Sequence, residues 1–221
     1  MSASPIVVID GPVASGKTVV GRAVAKRLGY RFVDTGLMYR AVTWLVLERG
    51  VQPEDAGAVK EVVEGATVDI VAEDQPRVMI NGADATEYLT KPSVEAAVSF
   101  VARVPAVREA MVAQQRRMAS EGFVVMVGRD IGTHVLTDAA LKVFLSASKE
   151  ERIRRRYKEV LATGRNLTAE DVAENLEQRD TVDSQRELAP LRAAEDAVHL
   201  VTDGLSVEQV VTRILELAGA D

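Results

Sequence analysis

Five short apolar runs punctuate the chain, and helical spacing fills most of the gaps between them. IVVID (6–10), RFVD (31–34), FVVMV (123–127), LKVFLSAS (141–148) and AVHLV (197–201) each read as a strand. A glycine-rich turn and a helix over roughly 17–28 follow the first run, and LMYRAVTWLVLERG continues the second as another helix. A long helix from near Pro105 precedes the third run, a very basic helix follows the fourth, and a closing helix starts near Ser206. Strands alternating with helices predict an α/β fold whose five parallel strands are covered on both faces. The rhythm breaks between about 52 and 104, where VDIVAE and RVMING read as two strands joined by a turn at Asp74-Gln75-Pro76 and flanked by helical segments. An insertion explains this best: the chain leaves the sheet after its second strand and returns for the third.

Composition narrows the picture modestly. With 221 residues there is ample chain for a sizeable core. Hydrophobic residues at 47% and charged ones at 27% are the ordinary balance of a soluble protein. No apolar run approaches a membrane span, and MSASPIVVID has no basic region ahead of its apolar stretch, so no membrane association and no secretion signal are expected. The chain has no cysteine, which rules out disulfides and thiolate metal sites and fits a cytoplasmic protein. A net charge of −6 argues against general affinity for nucleic acid. The positive charge is lopsided, at 20 arginines against 7 lysines. Codon bias and bidentate phosphate recognition both explain that excess, and composition does not choose between them.

The stretch GPVASGKT, comprising Gly11, Pro12, Val13, Ala14, Ser15, Gly16, Lys17 and Thr18, fits the P-loop pattern G-x-x-x-x-G-K-[ST]. It lies between a predicted strand and a predicted helix, the context its mechanism demands. Glycines let the backbone wrap closely around phosphates, and the helix N-terminus adds partial positive charge. Lys17 is placed to reach the β- and γ-phosphates and the Thr18 hydroxyl to ligate Mg²⁺. These eight residues predict a nucleoside triphosphate site. A GTPase would carry N-K-x-D, which is absent. In a parallel sheet, Asp34-Thr35-Gly36 and Gly128-Arg129-Asp130 leave on the same edge as the P-loop, and Arg40 follows within two helical turns. Arginines converging beside a triphosphate suit a kinase whose acceptor is itself a phosphate.

Taken together, IDGPVASGK, VDTGLMYR, PAVREAM, GRDIGT, EERIRRR and RDTVDSQRELAPL resemble, in order and through nearly the whole chain, the bacterial cytidylate kinases of the nucleoside monophosphate kinase superfamily. The resemblance implies transfer of the ATP γ-phosphate to CMP or dCMP, with Mg²⁺, by a monomer. It implies a core P-loop domain (1–38, 105–149 and 187–221), a CMP-binding subdomain with an insert (39–104) and a helical lid region (150–186). Thr35, Arg40, Arg129 and Arg186 then hold the CMP phosphate, Ser99, Arg108 and Asp130 read the cytosine ring, and Asp183 accepts from the ribose. Arg179 joins the phosphates being transferred, and Arg152, Arg155 and Arg156 belong to a lid closing over ATP. The chemistry is coherent without the family name. Cytosine offers an amino donor and an unprotonated ring nitrogen, and uracil reverses both. An aspartate beside an arginine therefore matches cytosine and leaves unpaired polar groups against uracil, enough for discrimination of roughly 10⁴. The other reading is a different small-molecule P-loop kinase, acting on UMP or another acceptor.

Some features carry blander explanations. EERIRRRYKE has the charge spacing of a solvated helix face, with Glu150, Glu151 and Glu159 as partners for its arginines. His134 and His199 stand alone and suit structural roles, and Trp44 shares helical spacing with Val42 and Leu45. Val127 is a departure: relatives commonly carry a carboxylate two residues before this arginine, where it binds water around Mg²⁺. Valine cannot do so.

Overall fold

The computed structural model describes residues 5–71, 76–186 and 188–220. Asp74 and Gln75 of the expected turn, and Glu187 of the motif RDTVDSQRELAPL, lie outside these. Five strands form one sheet: β1 (Ile6–Asp10), β2 (Arg31–Asp34), β6 (Val124–Gly128), β7 (Leu141–Ser146) and β8 (Val198–Val201), in the order β2-β6-β1-β7-β8. A second sheet holds β3 (Val68–Val71), β4 (Arg77–Ile80) and β5 (Ala83–Asp84), with β4 antiparallel to both neighbours. The helices are α1 (Lys17–Leu28), α2 (Thr35–Glu48), α3 (Ala56–Val63), α4 (Pro92–Ala102), α5 (Pro105–Ala119), α6 (Lys149–Ala162), α7 (Ala169–Gln185) and α8 (Val207–Leu217). The five expected strands are all present. The two-residue β5 has too little sequence to show a pattern.

Packing divides the chain into two compact units, residues 1–32 with 123–221, and residues 33–122. In the first unit, β1 lies between β6 and β7, parallel to both, with Ile6 opposite Val124 and Asp10 opposite Gly128. Central strands covered on both faces read as unbroken apolar runs, and all five residues of β6 are buried. The edge strand β8 alternates instead. Val7, Ile9, Val125, Val127, Val143 and Leu145 bury their side chains with Val20 and Val24 of α1 and Val211 and Ile214 of α8. Helix α1 ends at Gly29 in the left-handed conformation, and α8 opens on a capping box between Ser206 and Gln209. The third strand starts one residue later than its apolar run suggests, because Phe123 has a φ of 48° and is turned out to solvent.

The second unit gathers α2, α3, α4 and α5 around its antiparallel sheet. Met38, Val42 and Val46 of α2 share one core with Val68, Ile80, Val107 and Met111. Trp44 lies against this core and stacks on Tyr88 at 5.1 Å. The buried Gln114 side chain accepts from the Val68 N–H at 2.8 Å and donates to the Ala66 carbonyl at 2.9 Å, stitching α5 to β3. Packing draws its lines at 32/33 and 122/123. Helix α5 presents its apolar stripe, with Val107 and Met111, to the insertion's own core. No helix among the described residues is long and apolar enough to cross a membrane.

Candidate active site

The P-loop follows β1 with the backbone its sequence requires. Gly11 has a φ of 150°, and a Cβ there would stand 2.1 Å from the Leu145 carbonyl oxygen, so only glycine fits. Ala14 (φ 60°) and Gly16 (φ 96°) also adopt positive φ, turning successive N–H groups into one concavity. Lys17, 7% exposed, donates to the Pro12 carbonyl and the Ser15 hydroxyl, keeping its ammonium inside the loop. Thr18 is exposed on the first turn of α1.

Gly128, which pairs with Asp10 across the sheet, delivers Arg129 and Asp130 one and two residues later, beside the start of the P-loop. This is the carboxyl edge at a topological switch point, where open α/β sheets bind ligands. Arg129 donates from Nε to Asp183 at 2.9 Å, and Arg186 donates to Asp130 at 3.0 Å. Arg186 also donates to the Ala189 carbonyl at 2.7 Å. Burial works to raise the Asp183 carboxyl, but Arg129 beside it, joined by Arg186 and Arg179, holds it below the usual carboxylate value. Of the residues expected here, Arg129, Asp130, Arg179, Asp183 and Arg186 thus form one network in one unit.

Helices α6 and α7 meet the P-loop through a small apolar cluster, with Val160, Val172 and Leu176 around Val13. Arg152 is 8% exposed, donates to the Val13 carbonyl at 3.3 Å and pairs with Asp180 at 2.7 Å. Arg156 pairs with Glu159 at 3.0 Å, one turn along its own helix. Arg155 is the neighbour that reaches the far side of the loop: it donates to Ser15, to the Thr202 carbonyl at 2.8 Å and to the Thr202 hydroxyl at 2.9 Å. The resemblance groups it with Arg152 and Arg156, and its contacts set it beside the P-loop. Among the described residues, no group of three or more His, Asp or Glu side chains is arranged to hold a metal ion. His199 sets its ring 5.6 Å from Phe144.

The second unit holds the remaining expected residues. Thr35, 3% exposed, opens α2 directly after Asp34, whose carboxylate accepts from the Gly36 N–H at 2.9 Å. Arg40 donates to the Leu89 carbonyl at 3.1 Å and lies 3.9 Å from Glu95. Arg108 is 3% exposed, with its guanidinium 5.9 Å from the Tyr39 ring centre. Ser99 is half-buried on α4, the helix before the one that carries Arg108.

A family model for cytidylate kinase matches residues 7–220. The chain belongs to the cytidylate kinase family. It is 45% identical over 212 residues to the cytidylate kinase of Geobacillus sp. (strain WCH70), covering 96% of this chain and 95% of that protein. It is 48% identical over 222 residues to the bifunctional pantoate ligase/cytidylate kinase of Prochlorococcus marinus (strain MIT 9303), covering 98% of this chain and 45% of that protein. It therefore spans nearly all of the first relative and about half of the second. A shikimate kinase from Acinetobacter baumannii solved with shikimate shares the fold, with a TM-score of 0.51 at 17% identity over 98% of this chain and 94% of that one.

Two features of this cytidylate kinase family member were not legible beforehand. Asp10, 5% exposed, accepts from the N–H groups of Ile131 and Gly132. Burial pushes its carboxyl up to about 6, against the pull of those two donors. Val127 is 1% exposed and faces α1, with its Cγ1 2.5 Å from where a Cβ on Gly21 would stand.

Proposed function

We propose that this chain transfers the γ-phosphate of ATP to CMP or dCMP, giving ADP and CDP or dCDP. The observation that carries the reading is the adjacency of β1 and β6, which brings the P-loop and the Arg129–Asp130 pair off neighbouring strands. A triphosphate cradle beside a network of arginines and carboxylates suits a reaction that joins two polyanions. Membership of the cytidylate kinase family supports the acceptor.

The chemistry needs positioning and charge neutralisation more than covalent help. An oxygen of the CMP phosphate, largely ionised near neutral pH, attacks the γ-phosphorus in line, and ADP leaves. In this reading Lys17 holds the β- and γ-phosphates, and Arg129, Arg186, Thr35 and Arg40 hold the acceptor phosphate. Arg179 takes up charge on the oxygens in transfer. Asp130, Arg108 and Ser99 read cytosine, and Asp183 takes the ribose hydroxyl. Arg152 and Arg156 belong to the ATP side, where α6 and α7 meet the loop. A coupled ADP-release assay across CMP, dCMP, UMP, AMP, GMP and shikimate tests the assignment. CMP and dCMP should exceed UMP in kcat/KM by roughly 10⁴, and comparable turnover of UMP would overturn it.

Bound Mg²⁺ supplies Lewis-acid neutralisation of phosphate charge. The exposed Thr18 hydroxyl beside Lys17 fits it, with water and the phosphates as its other ligands. Val127→Asp should lower the Mg²⁺ concentration for half-maximal activity. The carboxylate enters an apolar cluster against α1, so Tm should also fall, by about 5–10 °C. An unchanged Mg²⁺ requirement in folded protein would mean that a carboxylate here has no bearing on the ion.

A further inference from the structure

Asp10 has no part in the chemistry above, yet it is buried and reaches from β1 to the turn that follows β6. Its Oδ1 accepts from the Ile131 N–H at 3.0 Å and its Oδ2 from the Gly132 N–H at 2.8 Å. These two donors open a short π-helical turn, Ile131–Val135, and belong to the N–H groups that a helical turn leaves without internal partners. Asp130 is the residue that chain order puts in place to take them. It occupies the N-cap position, and aspartate is among the best N-caps. Its side chain makes no capping bond. Its carbonyl accepts from the His134 N–H at 2.9 Å, and its carboxylate accepts from Arg186 at 3.0 Å. Two aspartates therefore divide a task that one performs elsewhere.

The division has a physical consequence. A cap taken from the neighbouring strand leaves the local carboxylate turned toward Arg186. The fit is close: a Cβ on Gly132 would stand 3.5 Å from the Asp10 carboxylate and 3.2 Å from the Lys142 side chain. The Lys142 ammonium is itself bonded to the Thr137 carbonyl and Asp196. If Asp10 lost its carboxylate, two buried N–H groups would need another acceptor, and the nearest along the chain is the side chain of Asp130.

We propose that Asp10 is a positioning residue for acceptor recognition, capping the turn after β6 so that Asp130 stays committed to Arg186 and to the acceptor base. This rests on the reading of Asp130 as a base-reading residue given above. It also ties the loop that reads the acceptor to the strand that opens the P-loop.

The test compares wild type, Asp10→Ala and Asp10→Asn. Calorimetry gives the binding of CMP, UMP and ADP separately, the coupled assay gives kcat/KM for CMP and UMP, and circular dichroism checks the fold. A buried donor left without an acceptor carries a penalty equivalent to about 10- to 100-fold in an equilibrium constant, and that bias is what would draw Asp130 away from Arg186. Asp10→Ala should weaken CMP by about tenfold or more and shrink the CMP:UMP ratio by a similar factor, with ADP affinity within about threefold of wild type. Asp10→Asn keeps one acceptor oxygen and should fall between. If the alanine variant does not fold, the asparagine variant decides by the same ratio. CMP and ADP binding falling in parallel with an unchanged CMP:UMP ratio would overturn the proposal, reducing Asp10 to a fold contact. A wild type with no preference for CMP would overturn the functional reading itself, and the wild-type arm alone reveals that.

Discussion

Arg129→Ala and Arg186→Ala are each expected to lower kcat/KM for CMP phosphorylation by about 10³-fold, the scale on which arginines act in phosphoryl transfer. Arg129 uses its Nε to bond Asp183, which fixes the plane of a guanidinium that carries five N–H donors in all. The fork is therefore oriented before any phosphate meets it, and orientation is most of what this reaction asks of a protein. Arg186 differs in one respect. Its side chain and that of Asp130 are 8% and 6% exposed, against 22% and 15% for Arg129 and Asp183. Removing Arg186 takes a cation from a deeply buried carboxylate, at a cost of about 3 kcal/mol in stability. Arg186→Ala should therefore lose Tm as well as rate, whereas Arg129→Ala should lose mainly rate. Lysine at either position keeps the charge but not the fork, so both conservative variants should fall between. Coupled ADP-release kinetics with thermal melts separate these effects. Near-normal turnover in both alanine variants would remove the two arginines from the chemistry.

Lys17→Ala should be the second severe loss, a fall in kcat of at least about 10²–10³-fold, since one preorganised donor at a developing charge has that value. The expectation follows from how the loop is built. Positive φ at Gly11, Ala14 and Gly16 bends the backbone around the space into which α1 points, and Lys17 is the cation on that loop. Its ammonium is held by the Pro12 carbonyl and the Ser15 hydroxyl. Those two are neutral oxygens, and the ammonium also feels the Asp10 carboxylate, so a phosphate competes for it with the greater charge. The loss should appear in kcat more than in the KM for ATP, because the N–H groups of the loop remain to bind phosphate. A variant with unchanged kcat and only a raised KM would mean that Lys17 acts in binding alone.

Much of the core was legible because its signals are local. The strands β1, β6 and β7 are apolar runs whose length and flanking turns identify them one by one, and the P-loop is a contiguous string between the first strand and its helix. Where local signals compete, the reading slipped. Phe123 completes an apolar run but stands outside the strand at a positive φ, directly after Gly122, which is itself at 72°. The buried face of α5, Val107 and Met111, packs with Val68 and Ile80, a partnership that its own spacing does not name. The basic helix α6 showed a row of arginines without showing that Arg155 contacts the loop while Arg156 pairs along its own helix.

What the amino-acid order alone determined is therefore the alternation of strands and helices, the phosphate cradle and the residue types offered to an acceptor. All of these depend on neighbours within a turn or a strand. Tertiary structure alone decided the partners: Asp183 for Arg129, Arg186 for Asp130, and Asp10 for a turn 121 positions away. Such pairings depend on strand order and register, which put Gly128 opposite Asp10. No period in the sequence encodes that juxtaposition, because the hydrophobic driving force that assembles the sheet is blind to which polar ends it brings together.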